Sequence, residues 1–305
     1  NVELFGDTLK IKNKRYKIKN KKIYIIGFGK SAGAMAKAIE KILPIEKGIV
    51  ISTREIKLKR TKLFVGTHPF PSLKNVKATK KIINFLEGVD KNDLIICLIS
   101  GGGSSLLCLP NISFSKYLRI LKRAFNSGRD IEELNKIRKK YSKVKAGKLA
   151  RITKSKVISL IFSDVVGDKI DVIASGPTAV KSKRVDNLIL LNNKTALSAM
   201  LRKAKQLGLR AVVLTNKLQG EARKAGKDML KKIKKYKNKN CFLFAGETTV
   251  QVKGKGKGGR NQELCLSSVE QVEDENCILV SIATDGIDGN TDAAGAIVDL
   301  SLIHI

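Results

Sequence analysis

The run Ser100-Gly-Gly-Gly-Ser-Ser105 is the segment of this chain best suited to chemistry. It is entered from the apolar stretch Ile96-Cys-Leu-Ile99 and left through Leu106-Leu107. Glycine lets a backbone approach a ligand closely and adopt positive φ. Gly101, Gly102 and Gly103 therefore read as a turn at the carboxyl end of a strand. Its freed N–H groups and the hydroxyls of Ser104 and Ser105 can ring a phosphate or a carboxylate. A purely structural strand exit would use the same glycines. A similar layout recurs at Gly27-Phe-Gly-Lys-Ser-Ala-Gly33, which superficially matches a dinucleotide fingerprint. The spacing around Lys30 is not that of a P-loop, and Ser52-Thr-Arg54 stands where an acidic ribose partner would be expected about twenty residues on. Lys30 instead suits an anionic substrate or a transferring phosphoryl group. His68 lies in the rigid turn Thr67-His-Pro-Phe-Pro71, as a general acid–base or as a turn histidine held by the backbone. Asp164, in Ser163-Asp-Val-Val-Gly-Asp168, sits at a strand exit, where a metal-binding or base carboxylate or an N-cap is placed.

The second half carries two more candidate segments. Between Gly246 and Glu263, glycines at 254, 256, 258 and 259 alternate with lysines before Arg260 and Asn261 open a helix-like run. A cationic glycine loop at a helix start suits polyphosphate, and an unstructured hairpin tip is the plainer alternative. Asp285, Asp288 and Asp292 then fall in a turn-rich loop after a strand. Oxygen ligands at that density suit Mg²⁺ held partly through water, with Asp285 and Asp288 as the metal ligands, although they do not fit EF-hand spacing. Turn-forming aspartates would look the same.

Alternating elements must position these residues. Strands are expected at Lys22–Gly27, Gly48–Ser52, Lys62–Gly66, Asp93–Ser100, Val157–Phe162 and Arg210–Thr215. Helices are expected at Ser31–Leu43, Asn75–Gly88, Phe114–Ser127, Asp130–Lys140 and Asn192–Leu207. Strands that are apolar throughout, interleaved with amphipathic helices, imply a parallel sheet covered on both faces. The lysine-rich stretch Lys231–Asn240 marks a domain boundary, followed by the strands Cys241–Ala245 and Cys277–Ala283 around a short helix from Asn261.

The 305 residues suffice for two domains, and 43% hydrophobic content fits a globular chain. The net charge of +33 raises nucleic-acid binding, but the lysines are scattered over polar helix faces and aromatic content is only 5%. No specific nucleic-acid partner is therefore expected. No apolar run is long enough to span a bilayer, so no membrane partner is expected either. The five cysteines form no Cys-x-x-Cys pair and read as reduced core residues of a cytoplasmic protein. The missing initiating Met and the stop just after an apparent strand, at Leu302-Ile-His-Ile305, read as signs of a fragment.

In order along the chain, the segments at 27–36, 67–71, 98–107, 133–139, 163–168, 173–178, 246–250, 258–263 and 283–294 resemble those of the MOFRL-type, 2-phosphoglycerate-forming glycerate kinases. The resemblance implies a Rossmann-like N-terminal domain, here residues 1–235, and a smaller, incomplete α/β C-terminal MOFRL domain, residues 236–305. It places the active site in a cleft between them. It implies phosphoryl transfer from Mg-ATP to D-glycerate, with ATP and Mg²⁺ as cofactors. Lys30 and Arg260 resemble the family's cleft cations, and Asp164 and Asp285 its cleft carboxylates. Two departures stand out: Lys140 replaces a customary histidine, and Ala146 replaces a customary glycine. A hydroxypyruvate reductase-like enzyme and a truncated inactive homologue are the alternatives, and a homodimer is compatible with the sequence.

Overall fold

The computed structural model describes residues 2–127, 131–275 and 277–301. Asp130 and the terminal 302–305 segment lie outside them. The chain divides into two compact units, Asn1–Asn192 and Asn193–Ile305.

The first unit opens with an antiparallel meander of β1 (Val2–Phe5), β2 (Thr8–Ile11) and β3 (Lys14–Lys17). The expected strands began only at Lys22. Behind the meander lies a six-stranded sheet of β4 (Ile23–Phe28), β5 (Ile45–Ser52), β6 (Thr61–Val65), β7 (Leu94–Ile99), β8 (Lys156–Phe162) and β9 (Val185–Leu191). Its order is β6-β5-β4-β7-β8-β9 and every pairing is parallel. This is the strand order of the Rossmann fold, with the chain reversing direction across the sheet between β4 and β7. The expected Rossmann-like α/β architecture is therefore present.

The strands are apolar throughout because both faces are covered. Along β4 and β7 the side chains alternate between two cores. Ile25 and Ile96 join Met35, Ala36 and Ile39 of α1 (Ala32–Ile39), together with Leu9 and Ile11 of β2. Ile26 and Ile95 join Ala78, Ile82 and Leu86 of α2 (Leu73–Glu87) on the other face. Three helices complete the site-bearing half: α3 (Gly103–Leu106), α4 (Phe114–Asn126) and α5 (Ile131–Lys140). A short α6 (Lys148–Ile152) leads into β8.

In the second unit α7 (Asn193–Gln206) leads into β10 (Ala211–Leu218), α8 (Ala222–Ile233) and β11 (Cys241–Gly246). Next come α9 (Arg260–Leu266), α10 (Val269–Glu275) and the antiparallel pair β12 (Leu279–Ile282) and β13 (Gly295–Val298). Its core gathers Ala222, Ala225, Met229, Leu264, Cys265, Leu279 and Val298. The division into compact units falls at Asn192/Asn193, and the lysine-rich segment runs between β10 and β11, which pair in parallel.

Cys97, Cys108, Cys241 and Cys265 carry free thiols, and burial raises that of Cys97 to about 12. Among the described residues, no helix is long and apolar enough to cross a membrane.

Candidate active site

The carboxyl edge of the six-stranded sheet carries the candidate residues of the first unit. Lys30 follows β4, His68 follows β6, Gly101–Gly103 follow β7 and Asp164 follows β8. The two glycine turns flank the point where strand order reverses, the place where open α/β sheets bind ligands. They are stitched together: Lys30 N donates to Gly101 O at 2.8 Å, and Ser31 N donates to Ser100 Oγ at 3.0 Å.

Missing side chains make the cluster possible. A Cβ on Gly101 would overlap Asp164 Oδ2. Gly102 has φ +78°, and a Cβ there would sit 3.0 Å from His68 Cδ2 and 3.2 Å from Lys30 Cγ. One turn is thus the floor on which the side chains of Lys30, His68 and Asp164 rest, and the structure brings these three together.

The serine hydroxyls are bonded within the protein. Ser104 Oγ and Ser175 Oγ lie 2.9 Å apart, and Ser175 Oγ donates to Asn135 Oδ1 at 2.9 Å. Ser105 Oγ donates to Pro69 O. Both hydroxyls are engaged by protein, as buried polar groups generally must be. They fasten the turn and leave any ring of donors to the backbone. Asn75, fully buried on α2, accepts from Thr67 N at 3.0 Å and Ser72 N at 3.2 Å. It donates to Thr67 O and to Ser105 O, each at 2.9 Å. The His68 turn, with its cis His68–Pro69 bond, is thereby fixed to the glycine turn. Nothing in the sequence pattern had marked Asn75, although its place at N3 of a capping box after Ser72 is a readable signal.

Behind the turn lies a wall of two interlocked bends, one at Ala146–Gly147 and one in the 173–178 segment. Ala174, Ser175 and Gly176 are left-handed, with φ of 51°, 63° and 66°, and so is Ala146 at 52°. Left-handed backbone costs a non-glycine residue about 1–2 kcal/mol. The two bends interlock through Ala146 N to Ser175 O at 3.1 Å and Gly147 N to Gly176 O at 2.6 Å. Lys145, only 1% exposed, extends from this wall to the carbonyls of Gly103 and Ala174.

In the second unit, Arg260 opens α9. Its Nη1 donates to Glu247 Oε1 at 2.5 Å and to Thr248 O at 3.1 Å. Gly258 N donates to Asn290 Oδ1 at 2.9 Å, which ties the lysine–glycine loop to the aspartate loop. Asp288 is 1% exposed and its carboxylate caps α9. Oδ1 accepts from Asn261 N at 3.1 Å and Asn261 Nδ2 at 3.0 Å, and Oδ2 accepts from Gln262 N at 2.9 Å. Gly259 is the residue on which this carboxylate rests, since a Cβ there would overlap it. Asp288 therefore has the geometry of a helix cap, and its oxygens are taken by protein donors. Asp285 is exposed, with Oδ1 3.4 Å from Ile287 N. Among the described residues, no group of three or more His, Cys, Asp or Glu side chains is placed to hold a metal. The donor set does not fit a protein cage for Mg²⁺.

The comparisons with known proteins agree with this layout. The model described as a domain of unknown function, DUF4147, matches residues 2–207, and that of the MOFRL family matches residues 240–304. A glycerate 2-kinase of Pyrococcus horikoshii is 35% identical over 98% of this chain and 80% of its own length. A D-glycerate 2-kinase of Thermotoga maritima is 35% identical, covering 91% of this chain and 78% of its own. Among solved structures, a Pyrococcus horikoshii protein superposes with a TM-score of 0.82 at 35% identity, over 99% of this chain and 82% of that one. A Thermotoga maritima glycerate kinase superposes with a TM-score of 0.81 at 34% identity, over 92% and 80%. With a Rossmann-ordered sheet, paired glycine turns at its reversal point and these relatives along nearly its whole length, the chain belongs to the MOFRL-type glycerate kinase family.

Proposed function

We propose that this protein is an ATP-dependent glycerate 2-kinase, transferring the γ-phosphoryl group of Mg-ATP to the 2-hydroxyl of D-glycerate to give 2-phosphoglycerate and ADP. The observation that carries the reading is the grouping of Lys30, His68 and Asp164 on the Gly101–Gly103 turn at the sheet's reversal point. Phosphoryl transfer asks mainly for positioning and charge neutralisation, and this turn offers both.

In the proposed reaction the 2-hydroxyl oxygen bonds to the γ-phosphorus while the bond from that phosphorus to the β–γ bridging oxygen breaks. Asp164 orients the hydroxyl and receives its proton. Lys30 neutralises charge on the transferring group, and the backbone of the glycine turn receives an anionic oxygen, either of ATP or of the substrate carboxylate. His68, held against Gly102, is a second proton carrier or donor for the same anion. In the second unit Arg260, held by Glu247 and Thr248 at the start of α9, is by itself a cation suited to an anionic oxygen. Mg²⁺ would arrive with the nucleotide, coordinated mostly by phosphate oxygens and water, as is usual for this ion. A cytoplasmic location fits the free cysteines.

The test is product identity. Wild-type protein incubated with D-glycerate and Mg-ATP should yield 2-phosphoglycerate, detected by enolase coupling without a mutase. Signal that appears only once a mutase is added would mean the 3-phosphate and would refute the regiochemistry.

A further inference from the structure

Among the buried ionisable side chains that the reaction scheme leaves unused, Lys145 is the one bonded to the glycine turn. We propose that Lys145 is a positioning residue of the phosphoryl-transfer site: its amine ties the Gly103 carbonyl to the Ala174 carbonyl and so fixes how the Gly101–Ser105 turn is presented to the phosphoryl group. This assignment rests on the kinase reading above.

The geometry is specific. Lysines ordinarily bury the stem and leave the amine in water; Lys145 buries both and is only 1% exposed. Nζ lies 3.3 Å from Gly103 O and 3.2 Å from Ala174 O. Gly103 is the last glycine of the turn, and a Cβ on it would stand 2.8 Å from the Ala174 Cβ, so turn and wall are in direct contact. The next residue, Ser104, is held by the next residue of the wall, Ser175, whose hydroxyl also donates to Asn135 of α5. Two consecutive residues of the turn are thus tethered to two consecutive left-handed residues of the wall. No substrate atom need touch Lys145 for it to set the turn's position.

The surroundings fix its protonation. The groups acting on the amine are the Cys108 thiol, just beyond α3, and the Arg138 guanidinium of α5, with the Tyr117 phenol of α4 beside both. Burial pushes the Cys108 thiol up to about 11 and raises Tyr117 as well, so neither is an anion at neutral pH. On the outer side of α5, Lys139 pairs with Asp171 at 3.1 Å, and Lys148 donates to Ser142 O. Desolvation above all, with Arg138 adding to it, brings the Lys145 amine down to about 7. A neutral amine has two N–H donors, which match the two carbonyls. A third proton places a charge in a wall that already contains Arg138.

Steady-state kinetics of the full chain with D-glycerate and Mg-ATP across pH 5.5–9 test the assignment, comparing wild type with Lys145→Met and Lys145→Gln. Misplacement of a catalytic element by about 1 Å costs on the order of 100-fold. Lys145→Met should therefore lower kcat by roughly 30- to 100-fold at pH 8 while KM for both substrates moves less than about threefold. The fall in wild-type kcat below about pH 7 should vanish with it. Lys145→Gln restores one donor and should recover part of kcat. A residue that merely stabilised the fold would leave both the pH profile and kcat per folded molecule unmoved, so either outcome overturns the assignment. If both variants fail to fold, Lys145 belongs to the folding core and the assignment is equally overturned. Wild type inactive on glycerate would remove the kinase reading and this assignment together; active wild type with unaltered Lys145→Met would remove this assignment alone.

Discussion

Replacing Asp288 distinguishes a helix-capping carboxylate from a metal ligand. Its oxygens accept three hydrogen bonds from the start of α9, two from backbone N–H groups and one from the Asn261 amide. Loss of an N-cap costs about 0.5–2 kcal/mol, and each hydrogen bond to a charged group contributes about 1.5–3 kcal/mol. Asn261 and Gln262 are half-buried, so water recovers part of the loss. Asp288→Ala should therefore destabilise the second unit by ~2–4 kcal/mol, and Asp288→Asn, which keeps one acceptor oxygen, by about half as much. For a unit of this size that lowers the calorimetric midpoint by roughly 10 °C for alanine. The Mg²⁺ concentration giving half-maximal activity should move less than about twofold, because the Asp288 oxygens bond to the start of α9. A midpoint within 2 °C of wild type (roughly the error of such a comparison), together with a large shift in Mg²⁺ requirement, would refute the capping role and make Asp288 a metal ligand.

Other expectations follow from the same geometry. Gly101→Ala sets a methyl group against the Asp164 carboxylate and should reduce kcat by roughly 100-fold with little loss of secondary structure; near-normal turnover would show that Asp164 yields without consequence. Ala146→Gly relieves a left-handed alanine at φ 52°, and urea unfolding should show a gain of ~0.5–1 kcal/mol once the greater freedom of unfolded glycine is subtracted. Lys145 also makes stability depend on pH. Its folded-state value is about 7, and in an unfolded chain it is about 10.4. Between those values the unfolded chain binds a proton that the folded chain does not, so folding stability rises with pH across that window, and the penalty is complete below about 7. The stability of wild type relative to Lys145→Met should climb between pH 7 and 10, and a flat difference would contradict the desolvation of the amine.

Much of the first unit was legible because its signals are local. The continuous apolar run of β7 announces a strand buried on both faces, and the glycines after it announce a turn. The β1–β3 meander is also local, with Gly6 and Lys12 at positive φ in its turns, but short, half-exposed, lysine-rich strands dilute the alternation that would reveal them. Lys145 carries no signal at all: in a chain with 60 Lys and Arg, burial of one amine depends on contacts with Gly103 and Ala174, far off in sequence. The bonds of Asp288 are hidden from sequence for a similar reason. It caps a helix that begins 28 residues earlier, so nothing in its own neighbourhood distinguishes it from a ligand in an aspartate-rich loop. Ser104 and Ser105 look like anion ligands from sequence, and only the positions of Ser175 and Pro69 show what their hydroxyls hold.

The central claim is that Lys30 and the glycine turn beneath it carry phosphoryl transfer to glycerate, and coupled ADP release tests it most directly. Wild type should turn over D-glycerate with Mg-ATP, and Lys30→Ala should lose roughly 100- to 1,000-fold in kcat/KM with an unchanged circular dichroism spectrum. A folded Lys30→Ala protein within about threefold of wild type would contradict the account.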